Sequence, residues 1–146
     1  MKKILVPVAF TFLIISCQKF ATSLVPDQAS AFEKYFESNI LNQNFIVTLA
    51  MNNGTDITGN YSGYQFMMLK TDYYHGPVRV TKNGTTYSGT WSCNEDYSKL
   101  IITLPSAPPE FIFLTREWRF TSKIIPELDF APWGTTDPVV LHILRQ

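Results

Sequence analysis

The chain has 146 residues, of which 45% are hydrophobic and 14% aromatic, and this is enough for one compact domain with its own core. Its 12 basic and 12 acidic residues cancel, and the basic residues form no cluster. Nucleic acid is therefore excluded as an expected partner.

The first feature in chain order is an apolar segment, residues 4–15, that follows two lysines. Such a segment is typical of a signal peptide, and it is shorter than the about 20 apolar residues that cross a membrane. It ends at Ser16-Cys17, and this junction resembles the lipobox of bacterial lipoproteins. The resemblance implies a signal peptide over 1–16, cleavage between Ser16 and Cys17, and a diacylglyceryl group on the Cys17 sulfur as a thioether. The new amino terminus is then expected to be acylated as well, with palmitate as a typical acyl chain. The alternative is an ordinary signal peptide with an incidental cysteine.

The residues that follow indicate how the mature chain would be attached to a membrane. If Cys17 carries a lipid, Cys93 has no partner and the domain has no internal disulfide, so it needs a substantial core. Residues 17–26 are predicted to be a tether, and membrane lipid is the expected partner of the acylated Cys17. Gln18 follows the cysteine where an aspartate would resemble an inner-membrane retention signal. We therefore expect an outer-membrane lipoprotein that faces the periplasm.

Residues 27–40 are predicted to form one short amphipathic helix. Ser30 and Glu33 match the S-x-x-E capping box that begins many helices. Its apolar face consists of Phe32, Tyr35, Phe36 and Ile40. Glu33 and Glu37 are expected to repel anionic lipid headgroups, so the helix should pack against the domain that follows rather than on the membrane.

From Asn44 onward the hydrophobic period changes to two, which predicts eight or nine short strands. A short apolar run at 111–114 is counted among them. The clearest two-residue hairpin is Asn83-Gly84. Short, evenly spaced strands favour an all-β domain over 27–146, an antiparallel meander closed into a barrel, because closure removes exposed sheet edges. A sandwich is the alternative.

The position of the helix predicts which end of the barrel is open. Only residues 41–44 separate the helix from the first strand, so the helix should cap one end. The other end is then the candidate entrance for a ligand.

Four segments carry a resemblance to a known family. They are GTDITGNYSGYQFMM (54–68), KNGTTYSGTWS (82–92), LTREW (114–118) and TTDPVVLHIL (135–144). In this order they resemble the small lipocalin-like lipoproteins of Gram-negative bacteria, in which a lipobox and a short helix precede a calycin-type β-barrel. The resemblance implies a fold more than an activity, because the function of that family is largely unassigned.

The Gly89-Thr90-Trp91 match to the lipocalin G-x-W motif has a structural interpretation. In lipocalins that motif lies in the first barrel strand, whereas here it lies in the fourth predicted strand. Gly89 is expected to permit a close backbone approach, and Trp91 is expected to fill the core.

Residues that could carry chemistry are few. His75 and His142 have no second ligand at metal spacing in the sequence, so no metal or cofactor is expected. Cys93 shares a strand face with Trp91 and is interpreted as a buried small hydrophobe. Catalytic and phosphate-binding motifs are absent from the sequence, which predicts a non-enzyme.

The aromatic residues support two functions. Those predicted to point inward are Phe45, Tyr64, Phe66, Tyr87, Trp91, Trp118 and Phe120. They either fill the barrel or line an apolar pocket with an arginine at its rim. The candidate ligand-binding residues are Tyr64, Phe66, Arg79, Trp91, Trp118 and Arg119. The first hypothesis is a protein that binds a small apolar or amphipathic ligand; the alternative is a protein-interaction module, an inhibitor or an assembly subunit, with a solid core.

The lipobox interpretation predicts that Cys17→Ser abolishes lipidation, because the acceptor sulfur is lost. Cells fed labelled palmitate should label the wild-type protein and leave the variant unlabelled. Cys93→Ser is the matched control and should be labelled at the wild-type level. Wild-type labelling of Cys17→Ser would contradict the interpretation.

Overall fold

A computed structural model describes the backbone of residues 26–146 and the side chains from residue 31 onward. The predicted signal peptide, Ser16, Cys17 and nearly all of the predicted tether lie outside the described residues. The helix α1 spans Pro26–Asn39, close to the predicted range of 27–40. Within residues 26–146, no helix is both long enough and apolar enough to span a bilayer.

Nine strands follow α1. They are β1 (Asn44–Asn52), β2 (Thr55–Asp56), β3 (Gln65–Met68), β4 (His75–Lys82), β5 (Thr85–Cys93), β6 (Lys99–Thr103), β7 (Arg116–Ser122), β8 (Glu127–Pro132) and β9 (Val140–Arg145). A 3₁₀ helix, Thr58–Tyr61, precedes β3, and a short helix α2, Phe111–Leu114, precedes β7.

The strands form an antiparallel barrel. Each pairs with the next along the chain, in the order β2-β1-β3-β4-β5-β6-β7-β8-β9, and β1 also pairs with β9. Eight strands thus close on themselves, while the two-residue β2 adds only to the end of β1. The predicted all-β meander barrel is confirmed, and the sandwich alternative is not what the chain forms.

One hairpin turn follows directly from its sequence. Asn83 and Gly84 have φ values of 50° and 79°, and they join Lys82 to its cross-strand partner Thr85. Asparagine followed by glycine tolerates two successive positive φ angles, which the two-residue hairpin turn requires. The predicted hairpin is confirmed.

The predicted role of Gly89 is also confirmed. A Cβ atom on Gly89 would lie 2.1 Å from the carbonyl oxygen of Thr103 on β6, closer than any side chain tolerates. Trp91, two residues on, is buried, and its Nε1 donates a hydrogen bond of 2.7 Å to the carbonyl of Leu69. Gly89 therefore lets β6 approach β5 closely, two residues before the buried Trp91.

The prediction of a strand at residues 111–114 is wrong, because this run forms α2. Its first turn is closed by the Phe111 amide, which donates 3.1 Å to the carbonyl of Pro108. Four apolar residues fit a helical or a strand period equally well. The preceding Pro108 and Pro109 have no amide hydrogen for a sheet, but proline fits the start of a helix.

The helix α1 covers one end of the barrel, here called the α1 end. The β3–β4, β5–β6 and β7–β8 connections lie at this end. Phe36 inserts among them, with ring centroids 4.7 Å from Tyr97 and 5.7 Å from Trp91. The predicted cap is confirmed, although Phe32 and Tyr35, which were assigned to the same apolar face, remain exposed.

We expect Phe36→Ala to lower the free energy of unfolding by about 3–5 kcal/mol, since it empties a large aromatic site. Phe32→Ala is the matched control, because Phe36 is 2% exposed and Phe32 is 54% exposed on the same helix. The control should change stability by less than about 1 kcal/mol. Urea unfolding monitored by tryptophan fluorescence measures both, and equal losses would contradict the cap.

Candidate functional site

The barrel interior is nearly filled. The internal space among the strands has a volume of about 40 Å³ and an almost wholly apolar lining. Its lining residues are Phe45, Val47, Phe66, Met68, Val78, Ile102, Leu104, Leu114, Phe130, Leu141 and Ile143. Pockets that take drug-sized ligands have volumes of roughly 300–1,000 Å³. The interior therefore has no room for such a ligand in this conformation.

The end of the barrel opposite α1, here called the α2 end, is closed as well. Phe111 of α2 is fully buried and packs 5.4 Å from the ring of Tyr64. Trp118 is also fully buried, and its Nε1 donates 3.0 Å to the carbonyl of Leu114. The predicted open entrance at this end is therefore wrong, because the segment read as a strand folds into a helix that plugs it.

The six candidate ligand-binding residues do not form one site. Phe66 borders the small internal space. Tyr64, Trp91 and Trp118 are buried, and the polar atom of each is already hydrogen-bonded within the protein. Arg79 and Arg119 do not lie at a pocket rim with them: both are exposed on the outer face, between inward neighbours on β4 and β7.

An open cleft at the α2 end offers more room for a binding partner than the barrel interior does. It has a volume of about 530 Å³ and lies between the 3₁₀ helix and α2. Its lining mixes polar and apolar residues: Asn52, Ile57, Asn60, Tyr61, Pro109, Glu110, Ile112, Phe113 and Arg116. Ile112 is 63% exposed although its neighbours Phe111 and Phe113 are buried, so α2 plugs the barrel with one side and offers the other to solvent.

Arg116 places a fixed positive charge in this cleft. Its Nε donates 2.7 Å to the carbonyl of Phe113, and its guanidinium carbon lies 4.8 Å from the Phe113 ring centroid and 5.1 Å from that of Trp118. Burial lowers the pKa of Arg116, but a guanidinium stays charged in proteins. Among the described residues no carboxylate forms an ion pair with it.

Two tyrosines hold the wall of the cleft rigid. Tyr61 donates its hydroxyl hydrogen 2.8 Å to the carbonyl of Glu110, and Tyr64 donates 2.7 Å to the Glu110 carboxylate. Burial, together with the bond to Glu110, raises the pKa of Tyr64 to about 12. Burial likewise raises the pKa of Tyr61 well above its usual range. Both phenols are neutral donors at physiological pH.

A second polar cluster lies on the outer face of the barrel, across β8 and β9. It contains Glu127, Asp129 and His142, whose ligand atoms all lie within 4.8 Å of one another. His142 thus has two carboxylate neighbours in the fold, although the sequence shows no second ligand at metal spacing. His75, by contrast, faces only Asp72, 2.9 Å from its Nδ1 among the described residues.

Cys93 is partly buried, and its thiol lies 3.7 Å from the carbonyl of Tyr73. Burial raises the pKa of Cys93 to about 12, so the thiol stays protonated at neutral pH. A protonated thiol is a poor nucleophile. This environment agrees with the interpretation of Cys93 as a small hydrophobic residue.

Sequence reasoning missed the cleft and the outer cluster for the same reason. Both join residues from segments that only the fold brings together, so local spacing gives no signal.

Comparison of this chain with protein-family models, with curated proteins and with solved structures found no match.

The raised tyrosine pKa values predict an alkaline loss of stability. An unfolded tyrosine ionises near pH 10. Tyr64 keeps its proton in the folded chain to about pH 12, so its contribution is complete below about pH 10 and is lost as the pH rises through 12. Tyr64→Phe removes this proton and should reduce the pH dependence. Urea unfolding at several pH values above 9 tests this, and identical pH profiles for the two proteins would contradict it.

Proposed function

We propose that the protein is a non-catalytic lipoprotein of the cell envelope that acts as a protein-interaction module, with a solid barrel as its scaffold. The observation that carries this proposal is the interior, which leaves about 40 Å³ and is covered at both ends. It supports the interaction hypothesis over storage of an apolar ligand inside the barrel.

The length of the tether limits how the domain can be oriented. The nine residue steps from Cys17 to Pro26 can span at most about 30 Å, and α1 lies across the α1 end. A lipid on Cys17 would therefore hold the α1 end toward the membrane and leave the α2 end pointing away from it. Outer-membrane anchoring on the periplasmic side places the cleft where periplasmic or integral envelope proteins can reach it.

The chemistry of the cleft suggests what it binds. Exposed Ile112 offers an apolar contact beside the charged guanidinium of Arg116. Arginine pairs with carboxylates through two parallel hydrogen bonds, and buried arginine is common among the residues that dominate interface energies. A protein segment with an apolar side chain next to a carboxylate fits this surface.

Photo-crosslinking in the native envelope tests the proposal. A crosslinking residue at Ile112 should trap one defined protein, and Arg116→Gln should reduce that adduct. The control position is Ser88, which is exposed on the flank of β5 and should trap no such partner. Equal adducts at both positions would contradict the cleft as the interface.

The competing hypothesis has its own test. Titration with a fluorescent fatty acid should show no saturable binding to the purified protein, because the interior is filled. Saturable one-to-one binding that Val78→Trp blocks would place the ligand inside the barrel and overturn the proposal, since Val78 lines the internal space.

A further inference from the structure

We propose that Glu127, Asp129 and His142 form a binding site for a divalent transition-metal ion, Zn²⁺ being the ion that the ligand set fits best. This site is separate from the cleft, and it does not depend on the interaction function or on the lipid anchor.

The barrel topology presents the three side chains together. Asp129 on β8 and His142 on β9 are direct cross-strand partners. Glu127 precedes Asp129 by two residues, so both carboxylates lie on the same face of β8. Leu128 and Phe130, which alternate with them, are buried in the core. The three ligands therefore project from the outer face of a rigid sheet.

The separations fit a metal better than a hydrogen bond. His142 Nδ1 lies 3.6 Å from Glu127 Oε1 and 3.6 Å from Asp129 Oδ1. A nitrogen–oxygen hydrogen bond is typically about 2.7–3.2 Å long. A tetrahedral Zn²⁺ with bonds of about 2.0–2.2 Å holds neighbouring ligand atoms roughly 3.3–3.6 Å apart. The imidazole is thus equidistant from the two carboxylates, at nearly the spacing that a shared ion requires.

An unsatisfied oxygen is the independent observation that points to a ligand. Asp129 Oδ1 is shielded from solvent and has no hydrogen-bond partner among the described residues, although 29% of the whole side chain is exposed. A buried carboxylate oxygen without a partner is unfavourable, and a bound cation would satisfy it.

No basic side chain among the described residues competes with a metal ion for these two carboxylates. Within the described part of the chain, neither Glu127 nor Asp129 pairs with a lysine or arginine. Elsewhere on the surface the carboxylates of Glu37 and Glu117 do pair with lysines, at 2.6 and 2.7 Å. Two acceptors that converge on one imidazole without a cation make a site of net negative charge.

A residue from β1 orients the ligand set. Thr48 Oγ1 donates 3.2 Å to Glu127 Oε1. Thr48 lies where the register of β1 against β9 shifts, between Val47 and Leu49. Hydrogen bonds from outside the ligand set commonly fix the rotamer of a metal-binding carboxylate. Thr48 is accordingly a positioning residue and not a ligand.

The ligand types select the metal. One imidazole nitrogen with two carboxylate oxygens suits Zn²⁺ and its neighbours, whereas Ca²⁺ and Mg²⁺ prefer oxygen ligands alone. Three protein ligands leave a fourth tetrahedral position for water or for a side chain of another protein.

Calorimetry on metal-free, purified full-length protein tests the site, with ZnCl₂ as the titrant. We expect one Zn²⁺ per chain, and a loss of at least about tenfold in affinity for His142→Ala and for Asp129→Asn. His75→Ala is the matched control, since it removes the other histidine, and it should bind Zn²⁺ as the wild type does. Thr48→Val keeps all three ligands and should weaken binding by about tenfold.

Substitution with Co²⁺ supplies a readout of geometry, because a tetrahedral ion gives strong visible absorption that should vanish in His142→Ala. Circular dichroism confirms that each variant is folded, which is expected for changes on the outer face. Undetectable Zn²⁺ binding, binding that His142→Ala leaves unchanged, or equal affinity for Ca²⁺ and Zn²⁺ would overturn the proposal.

Discussion

The pairing of β1 with β9 is the constraint on which the rest of the structure depends. Residues Phe45–Met51 pair with Val140–Arg145, so the last strand closes the sheet begun by the first. This closure sets the number of strands and hence the width of the interior. It also places Thr48 of β1 beside β8 and β9, across which Glu127, Asp129 and His142 lie. The filled core and the outer polar cluster thus both result from the pairing of β1 with β9.

Interior width decides what the barrel can hold. Eight strands enclose a space that large side chains are able to fill. Here Phe45, Trp91, Trp118 and Phe130 are almost fully buried, and α1 and α2 add further rings from the two ends. Because the centre holds structural side chains, the surfaces open to partners are the loops and the outer faces.

Much of the fold could be predicted from the sequence, because alternation and turn residues are local signals. The Asn83-Gly84 pair correctly predicted the hairpin between β4 and β5. Phe36 and Ile40 were correctly predicted to be buried. The face of β1 was harder: strict alternation from Phe45 would point Leu49 inward, yet Ala50 is the buried residue beyond the shifted register. A bulge adds one residue to one strand and reverses the alternation after it, with no clear mark in composition.

The candidate site was less predictable, for a physical reason. Aromatic residues that fill a core and those that line a pocket have the same alternation, so Tyr64, Trp91 and Trp118 were plausible in either role. Only the packing of α2 against them decides between the two. Arg116 of the cleft and His142 of the outer cluster gain their neighbours through contacts between distant segments, which a single sequence does not encode locally.

The contacts of Glu33 and Glu37 decide which charges the outer side of α1 presents. Glu33 accepts a hydrogen bond from the Tyr74 hydroxyl at 2.7 Å, and Glu37 pairs with Lys70, so both face the barrel. Across residues 31–39 the outward side of α1 carries Lys34 and no carboxylate. The Tyr74 hydroxyl is a neutral donor, so only Glu37 is paired with an opposite charge. The outward side of α1 over residues 31–39 is thus basic, which the order of charges in the sequence does not reveal.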